Sequence, residues 1–311
     1  MKVSLIGLGN VGKAVLSFLP FCKGIGEISV IDRNAVAAKY EVIDMNHAAP
    51  LLSESYLTVS HGSYELLAGS DVVVITSGIP MKGGIDTKVK LALANKDLID
   101  ELAVHIRKYS PDSIVVILTN PVETMTNAFI RSSGFESRRV IGTGTLNDTS
   151  RLVYYLSSKY GTDYKDIKAY VLGEHVVGNF VPWSNCRIKG IAFAEFLEKE
   201  GITDFDGKKV LESINKSAFE ILNGKGNTTF SIAGAVTRII SAVIKDENAT
   251  LPVAAWINGE YGIDGLVVSL PCKVGRSGIV SIEELYLNTE EIFELEKSVA
   301  SLTKLNSIFL R

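Results

Sequence analysis

The sequence predicts an α/β protein: a doubly wound parallel sheet first, then an α+β domain. In the first half, short apolar runs alternate with segments of helical periodicity, which is typical of a parallel sheet covered by helices. A glycine-rich turn follows the first apolar run. After about residue 145, helical stretches dominate and short β-like runs separate them. The 311 residues suffice for two domains, and we expect them at 1–143 and 144–311.

The first half contains the predicted sheet. The run VVVIT is almost wholly β-branched and apolar, as expected of a strand buried on both faces. The longest predicted helix stops at Ser110-Pro111. Strands are predicted at 2–6, 28–31, 72–76, 114–118 and 140–142, and helices at 10–20, 35–47 and 89–109.

The second half is predicted to be mainly helical. Asn288 can cap the terminal helix, with Glu291 three residues on. The expected buried stripe of that helix includes Ile292 and Leu295. Helices are predicted at 147–160, 207–223, 228–245 and from about 289, with β-like runs at 169–172 and 266–270.

Composition and charge indicate an ordinary globular protein. Hydrophobic residues make up 46% and the net charge is −3, so the sequence has no basic face for a nucleic acid. It has neither an apolar run that could span a bilayer nor a secretory leader pattern, and we expect a cytoplasmic protein without a membrane partner. The three cysteines are scattered and fit neither a disulfide framework nor a metal site.

The first predicted strand leads directly into Gly7-Leu8-Gly9-Asn10-Val11-Gly12. This G-x-G-x-x-G motif has a strand before it and a helix after it, which is the context that a dinucleotide site needs. Gly7 would make the tight turn, Gly9 would admit a pyrophosphate and Gly12 would let the helix pack on the strand. Backbone N–H groups at Asn10 and Val11 would face the phosphates. The alternative is a glycine turn that serves packing only.

Asp32 favours the dinucleotide interpretation and selects the cofactor. It ends the second predicted strand, and a carboxylate there accepts hydrogen bonds from a ribose 2′-OH but repels a 2′-phosphate. The sequence therefore predicts a Rossmann-type domain that binds NAD rather than NADP. Thr76 and Gly78, where a later strand ends, are also predicted to lie at the cofactor.

Polar residues that could bind a substrate come later in the sequence than the glycine turn and Asp32. Asn120 ends an apolar strand at the sheet edge where ligands bind. Asp148 and Arg151 are i, i+3 on a predicted helix, so they form a simple ion pair or leave Arg151 to hold a carboxylate. His175 ends a β-like run; alone it is more often structural, but paired with Asp148 it becomes a proton donor suited to neutral pH.

Together these motifs resemble the family of L-lactate and malate dehydrogenases, with the related L-2-hydroxyisocaproate dehydrogenases. The matching stretches are GLGNVG, the strand-end Asp32, TNPV, GTGTLNDTSR, LGEH and LNGKGNTTF, in family order over essentially the whole chain.

The resemblance implies a role for each site residue. His175 would donate the proton to the keto oxygen and Asp148 would orient it. Arg151 would hold the substrate carboxylate, and Asn120 would bind the substrate oxygen and the nicotinamide side. Thr228 would line the side-chain pocket.

The loop from Met81 to Lys88 departs from the family. Met81 stands where malate enzymes have an arginine for a second carboxylate. Lys88 stands where the family has the arginine that polarises the keto group, if one residue is inserted; otherwise the match is Thr87. Lysine keeps the charge but loses the planar fork. After His175, Val176-Val177 replaces the usual glycine and polar residue, which is expected to shift the histidine or narrow the pocket.

Three hypotheses follow from the resemblance and its departures. The first is a dehydrogenase for 2-oxo acids with apolar side chains, which Met81 favours. The second is a malate dehydrogenase in which Lys82 or Lys88 pairs with the second carboxylate. The third is a weakly catalytic NAD-binding relative. Family members are oligomers, so a homodimer or homotetramer is expected.

Overall fold

The computed structural model describes residues 1–81 and 85–309. Its first half alternates strands and helices as predicted. The elements are β1 (Lys2–Ile6), α1 (Asn10–Phe18), β2 (Glu27–Ile31), α2 (Ala35–Leu52), β3 (Thr58–His61), β4 (Val72–Ile75), α3 (Lys88–Tyr109), β5 (Ile114–Ile117), α4 (Val122–Ser133) and β6 (Val140–Gly142).

These strands form a parallel sheet in the order β3-β2-β1-β4-β5-β6. The central strand β1 pairs with β2 on one side and β4 on the other, so the chain order reverses at β1. The carboxyl ends of neighbouring parallel strands meet at one edge, and a crevice opens where the order reverses. The ends of β1, β2 and β4 therefore place the glycine turn, Asp32 and Thr76 at this edge.

The second half extends the same sheet with antiparallel strands. Its elements are α5 (Leu146–Tyr160), β7 (Ile167–Lys168), β8 (Leu172–Glu174), β9 (Gly178–Phe180), β10 (Arg187–Ile188), β11 (Ile191–Ala192), α6 (Phe193–Lys199), α7 (Gly207–Lys225), α8 (Phe230–Lys245), β12 (Ala249–Asn258), β13 (Asp264–Gly275), β14 (Gly278–Ile282) and α9 (Thr289–Asn306). β12 pairs with β6 at Ala254 and Gly142, and β13 pairs with both β12 and β8. A small separate sheet has the order β11-β10-β7.

The predicted fold class is confirmed, but several element boundaries were wrong. Elements that were not predicted include β3, α4, β12 and β14, and α2 runs on to Leu52. The predicted run 169–172 lies between β7 and β8, and only Leu172 belongs to a strand. Most of β12 and β13 is buried on both faces, so neither strand shows the alternation that marks a strand in sequence. The sheet continues from β6 into β12 across the expected boundary at 143/144, and the two-domain division stays a prediction.

The two halves share one hydrophobic core. Val236 and Ile240 of α8 lie in the same buried cluster as Val15 and Leu16 of α1. The helix that follows the glycine turn is thus packed between the parallel sheet and the second half. This packing fixes the direction of α1 at its N-terminus.

The terminal helix α9 begins with the predicted capping box. The Asn288 side chain accepts a hydrogen bond from Glu291 N at 3.0 Å, and the Glu291 carboxylate accepts from Asn288 N at 3.0 Å. The Glu291 carboxylate also accepts from Ser184 N at 3.0 Å and from Ser184 Oγ at 2.6 Å. The predicted stripe was wrong at Ile292, which is 44% exposed, because Glu291 occupies the buried position instead.

No single helix within residues 1–81 and 85–309 has the length and hydropathy to cross a membrane; α7 and α8 meet both requirements only as a pair bent by 117°.

Replacement of Asn288 by alanine is expected to lower the free energy of unfolding by about 1 kcal/mol, because α9 loses its side-chain cap. Chemical denaturation measures the change. Asn288→Asp is the matched control, since aspartate keeps an acceptor for Glu291 N. Equal stability of the alanine variant and the parent would show that the cap contributes nothing.

Candidate active site

The glycine turn has the geometry that a dinucleotide motif requires. Gly7 has φ of 101°, and a Cβ there would meet Ser77 N at 2.5 Å. A Cβ on Gly12 would press against the carbonyl oxygen of Gly7, so only glycine lets α1 approach β1 this closely. A Cβ on Gly9 would meet no described atom within 4 Å. Gly9 therefore faces open space, where a pyrophosphate can approach the backbone.

The N-terminus of α1 is available to an anion. Gly9 is the N-cap residue, and no side chain of the described residues caps the helix there. The first N–H groups of a helix have no partner within the helix, and the helix dipole places partial positive charge there. The predicted phosphate contacts at Asn10 and Val11 fit this arrangement.

Asp32 joins the glycine turn to the end of β2. Its Oδ2 accepts a hydrogen bond from Leu8 N at 2.6 Å, and its Oδ1 accepts from Asn34 N at 2.8 Å. A carboxylate has about four acceptor sites, so capacity remains for ribose hydroxyls. The position agrees with the predicted NAD contact.

Thr76 and Gly78 also lie at this edge. Thr76 Oγ1 donates to the carbonyl oxygen of Gly7 at 2.8 Å and so holds the turn in place. A Cβ on Gly78 would come within 2.8 Å of the Thr119 side chain. Their direct contact with a cofactor stays a prediction.

Asn95 connects the loops that follow β4 and β5. It is fully buried in α3; its Oδ1 accepts from Ile79 N at 2.6 Å and its Nδ2 donates to the carbonyl oxygen of Asn120 at 2.9 Å. This fixes the backbone of Asn120, whose own side chain is exposed at the sheet edge. Sequence reasoning missed Asn95; the signal was a single amide in the apolar stripe of Leu91, Ile99 and Leu102.

Asp148 is the centre of the candidate site. This fully buried carboxylate binds His175 Nδ1 through Oδ2 at 2.5 Å and Arg151 Nη1 through Oδ1 at 2.7 Å. Of the two alternatives for Arg151, the structure has the ion pair with Asp148 rather than an arginine free of it, and the other oxygen of the same carboxylate binds the histidine. The bond to Nδ1 leaves Nε2 as the imidazole nitrogen that can exchange a proton with a ligand.

The environment of His175 raises its pKa above the usual value. Burial opposes the charged imidazolium and lowers the pKa, but the charge and hydrogen bond of Asp148, helped by Glu123, outweigh burial and the repulsion from Arg151. Because the pKa is higher in the folded than in the unfolded chain, protonation of His175 stabilises the fold below the unfolded pKa of about 6.5. That contribution is lost as the pH rises through the folded-state pKa.

Glu123 positions the backbone of His175. It lies in the first turn of α4, 1% exposed, and its Oε1 accepts from His175 N at 3.0 Å and from Ser269 Oγ at 2.8 Å. Sequence reasoning missed this residue. The available signal was the position of Glu123 shortly after Asn120, because acidic groups are favoured in the first turn of a helix and a helix could begin there.

Lys88 begins α3 and reaches the histidine segment. Its Nζ donates to Glu174 Oε1 at 2.7 Å and to the carbonyl oxygen of His175 at 3.2 Å. Glu174, another residue that sequence reasoning missed, is 1% exposed. The structure thus places Lys88 beside His175, on its backbone side. The predicted contact of Lys88 with a keto group stays a prediction.

The remaining predicted residues are Met81, Lys82 and Thr228. Met81 is 46% exposed at the end of the described part of the loop, and Lys82 lies outside the described residues. Thr228 is partly exposed, and its neighbour Asn227 accepts a hydrogen bond from Asn10 Nδ2 at 3.4 Å, beside the glycine turn. No group of acidic, histidine or cysteine side chains that could hold a metal occurs among the described residues.

Substitution of Gly12 by alanine is expected to abolish tight NADH binding and to lower the melting temperature, because the added Cβ meets the Gly7 carbonyl. Gly9→Ala is the matched control: its Cβ has space in the free chain, so stability should stay near the parent while NADH binding weakens. Cofactor fluorescence titration and thermal unfolding separate the effects. A Gly12→Ala variant with parental affinity and stability would contradict the packing argument.

Asp148→Asn is expected to lower the pKa of His175 below its usual value, because the largest favourable influence is removed while burial remains. NMR titration of the imidazole measures this, and His175→Asn assigns the resonance among the four histidines. An unchanged titration in the variant would show that Asp148 does not control the protonation of His175.

Comparison with known proteins agrees with this geometry. The profile for the lactate/malate dehydrogenase NAD binding domain matches residues 1–142, and that for the lactate/malate dehydrogenase alpha/beta C-terminal domain matches residues 145–308. An L-lactate dehydrogenase of Acetivibrio thermocellus is 36% identical over 299 residues, covering 96% of this chain and 93% of the relative.

Two solved structures have the same fold. The minor L-lactate dehydrogenase of Enterococcus mundtii superposes with a TM-score of 0.93 at 29% identity, covering 99% of this chain and 98% of that one. The malate dehydrogenase of Cryptosporidium parvum gives a TM-score of 0.92 at 28% identity, covering 98% of each chain. The glycine turn, Asp32 and the Asp148-centred site therefore belong to a member of the lactate/malate dehydrogenase family, whose cofactor is NAD.

Proposed function

We propose that this protein is an NAD-dependent L-2-hydroxyacid dehydrogenase of the lactate or 2-hydroxyisocaproate type. It reduces a 2-oxo acid with an apolar side chain and oxidises the corresponding hydroxy acid. The observation that carries the proposal is the buried Asp148 carboxylate, which binds His175 on one oxygen and Arg151 on the other. One carboxylate thus aligns a proton donor with a cation suited to a substrate carboxylate.

His175 supplies the proton in this proposal. Asp148 holds Nδ1, so the imidazolium donates from Nε2 to the keto oxygen, and the neutral imidazole accepts the proton in the reverse direction. The raised pKa favours the protonated donor. Reduction should therefore slow as the pH rises through the pKa of His175, whereas oxidation of the hydroxy acid should accelerate.

Arg151 holds the substrate carboxylate. A guanidinium has five N–H donors, and Asp148 engages Nη1. Arg151 Nε is buried without a hydrogen-bond partner among the described residues, and the side chain as a whole is 12% exposed. Because donors remain, the arginine can bind a carboxylate in addition to Asp148. Asn120, fixed by Asn95, would bind the substrate oxygen.

The cofactor fits the other side of the site. The open space at Gly9 and the uncapped N-terminus of α1 suit a pyrophosphate, and Asp32 retains acceptor capacity for a ribose. NADH held there would supply a hydride for the keto carbon. Asn120 would contact its nicotinamide side, where the Thr119-Asn120 segment follows β5.

The preference for an apolar side chain is supported by the loop after β4. Ile79 and Met81 are 45% and 46% exposed, so apolar surface faces the solvent where the loop leaves the sheet. Methionine adapts to apolar groups of different shape. Thr228 would complete the pocket from the second half of the chain.

A malate dehydrogenase is the second candidate, and the similarity to the Cryptosporidium parvum enzyme favours it. Oxaloacetate would need a cation for its second carboxylate. Lys88 is one candidate, but its ammonium is already bound by Glu174 and the His175 carbonyl group. The same two hydrogen bonds of Lys88 support a third candidate, a weakly catalytic NAD-binding relative. A Lys88 that polarised the keto group would have to leave Glu174.

A homo-oligomer, dimer or tetramer, is proposed as the assembly. Large apolar side chains are exposed along α2 and around α7 and α8, where a second copy would cover them: Val36, Tyr40, Leu51, Phe219, Leu222 and Phe230. The cytoplasm is proposed as the location, since Cys22, Cys186 and Cys272 are all free thiols.

NADH oxidation with a matched panel of 2-oxo acids tests the proposal: pyruvate, 2-oxobutyrate, 4-methyl-2-oxopentanoate, phenylpyruvate and oxaloacetate. Turnover on an apolar acid should exceed turnover on oxaloacetate. Met81→Arg should raise the kcat/KM for oxaloacetate, since it adds a cation for the second carboxylate. His175→Asn should lower kcat at least about 100-fold while NADH still binds.

Each alternative outcome has a distinct meaning. A parental preference for oxaloacetate would support the malate enzyme. Absence of turnover on the whole panel, with NADH binding retained, would support the weakly catalytic relative. Unchanged activity of His175→Asn would remove the histidine from the mechanism.

A further inference from the structure

Lys88 connects the start of α3 to the hairpin that carries His175. Strands β8 and β9 are paired at Glu174 and Gly178, so the tip of the hairpin is the short segment 175–177. The Lys88 ammonium binds the residue before this segment through Glu174 Oε1 and the first residue of the segment through the His175 carbonyl oxygen. One ammonium group thus contacts two consecutive residues of the hairpin, the second of which carries the imidazole.

Glu174 requires a cation. Its side chain is 1% exposed, and Oε2 has no hydrogen-bond partner among the described residues. A buried carboxylate is costly unless it is paired. Lys88 provides the ion pair that Glu174 has in the structure, at 2.7 Å, while its own side chain is 27% exposed.

The tip of the hairpin is strained. Val176 has φ of 71°, a left-handed conformation that a β-branched residue rarely adopts. The turn is closed by Val177 N, which donates to the His175 carbonyl oxygen at 3.0 Å. Lys88 Nζ donates to that same oxygen. Backbone strain of this kind persists only where several surrounding contacts hold the residue in its conformation.

We propose that Lys88 is a positioning residue: through Glu174 and the His175 carbonyl group it holds the strained Val176 turn and thereby keeps the imidazole aligned with Asp148. The kinetic consequence rests on the proposed dehydrogenase function. The structural consequence does not, because it concerns the hydrogen bond between His175 and Asp148.

This role differs from polarisation of the keto group. A polarising cation must point at the substrate oxygen, whereas the Lys88 ammonium lies on the backbone side of His175. The other charged groups around the histidine are Asp148 and Arg151 from α5 and Glu123 from α4. Lys88 is paired with Glu174, and the charges that act on the imidazole are those of Asp148, Glu123 and Arg151.

The kinetic test compares Lys88→Met, Val176→Gly and the double variant. Lys88→Met should lower kcat about 10- to 100-fold, since small misplacement of a catalytic group has effects of this size. Glycine adopts a positive φ without strain, so Val176→Gly should retain activity and the double variant should recover to within about 3-fold of it. Lys96→Met, which removes a lysine paired with Asp100 in the same helix, is the matched control and should leave kcat unchanged.

A second measurement is independent of activity. The Nδ1 proton that His175 shares with Asp148 should give a downfield NMR resonance, assigned by its loss in His175→Asn. In Lys88→Met this resonance should broaden or move upfield, and in the double variant it should return. NADH fluorescence titration should show the same affinity for all variants, which verifies that they are folded.

The opposite results would overturn the proposal. If Val176→Gly fails to restore the resonance in Lys88→Met, the lysine does not act through the turn. If Glu174→Gln keeps or raises kcat while Lys88→Met loses about 10²–10³, the lysine faces the keto group, as a preorganised electrostatic contact would. If the parent turns over no 2-oxo acid, the proposed function fails, but the NMR comparison still decides the positioning role.

Discussion

The buried carboxylate of Asp148 is the interaction on which the site depends. It is fully buried, yet it is stable because His175 and Arg151 each donate to one of its oxygens. The same two contacts fix the tautomer of the histidine and the direction of the guanidinium. Removing the carboxylate would therefore free both partners at once, since no other described group is hydrogen-bonded to both of them.

The supports of His175 come from separate parts of the chain. Glu123 of α4 holds its backbone N–H group, Lys88 of α3 holds its carbonyl group, and Asp148 of α5 holds its ring. The Ser298 hydroxyl of α9 donates to the Gly178 carbonyl oxygen and anchors the hairpin from the far side. This convergence explains how a histidine on a short hairpin tip can keep one orientation.

Much of the cofactor half could be predicted because its signals are local. The G-x-G-x-x-G turn needs a strand before it and a helix after it, and both are visible in the residues alongside Gly7 and Gly12. Asp32 could be placed because the end of β2 always lies near that turn in a parallel sheet. The strands β12 and β13 could not be placed so well, because burial on both faces removes the alternation that distinguishes strands.

By itself the sequence determined the fold class and the NAD-binding turn, and it offered Asp148 and His175 as a candidate pair while it left the ion pair between Asp148 and Arg151 open. Family order and spacing carry this information, since each motif is a short contiguous segment. Only the tertiary structure decided the partners of Lys88, the roles of Glu123 and Glu174, and the burial of Asn95. These contacts join residues far apart in the chain, and their geometry depends on how helices pack against the sheet rather than on any local pattern.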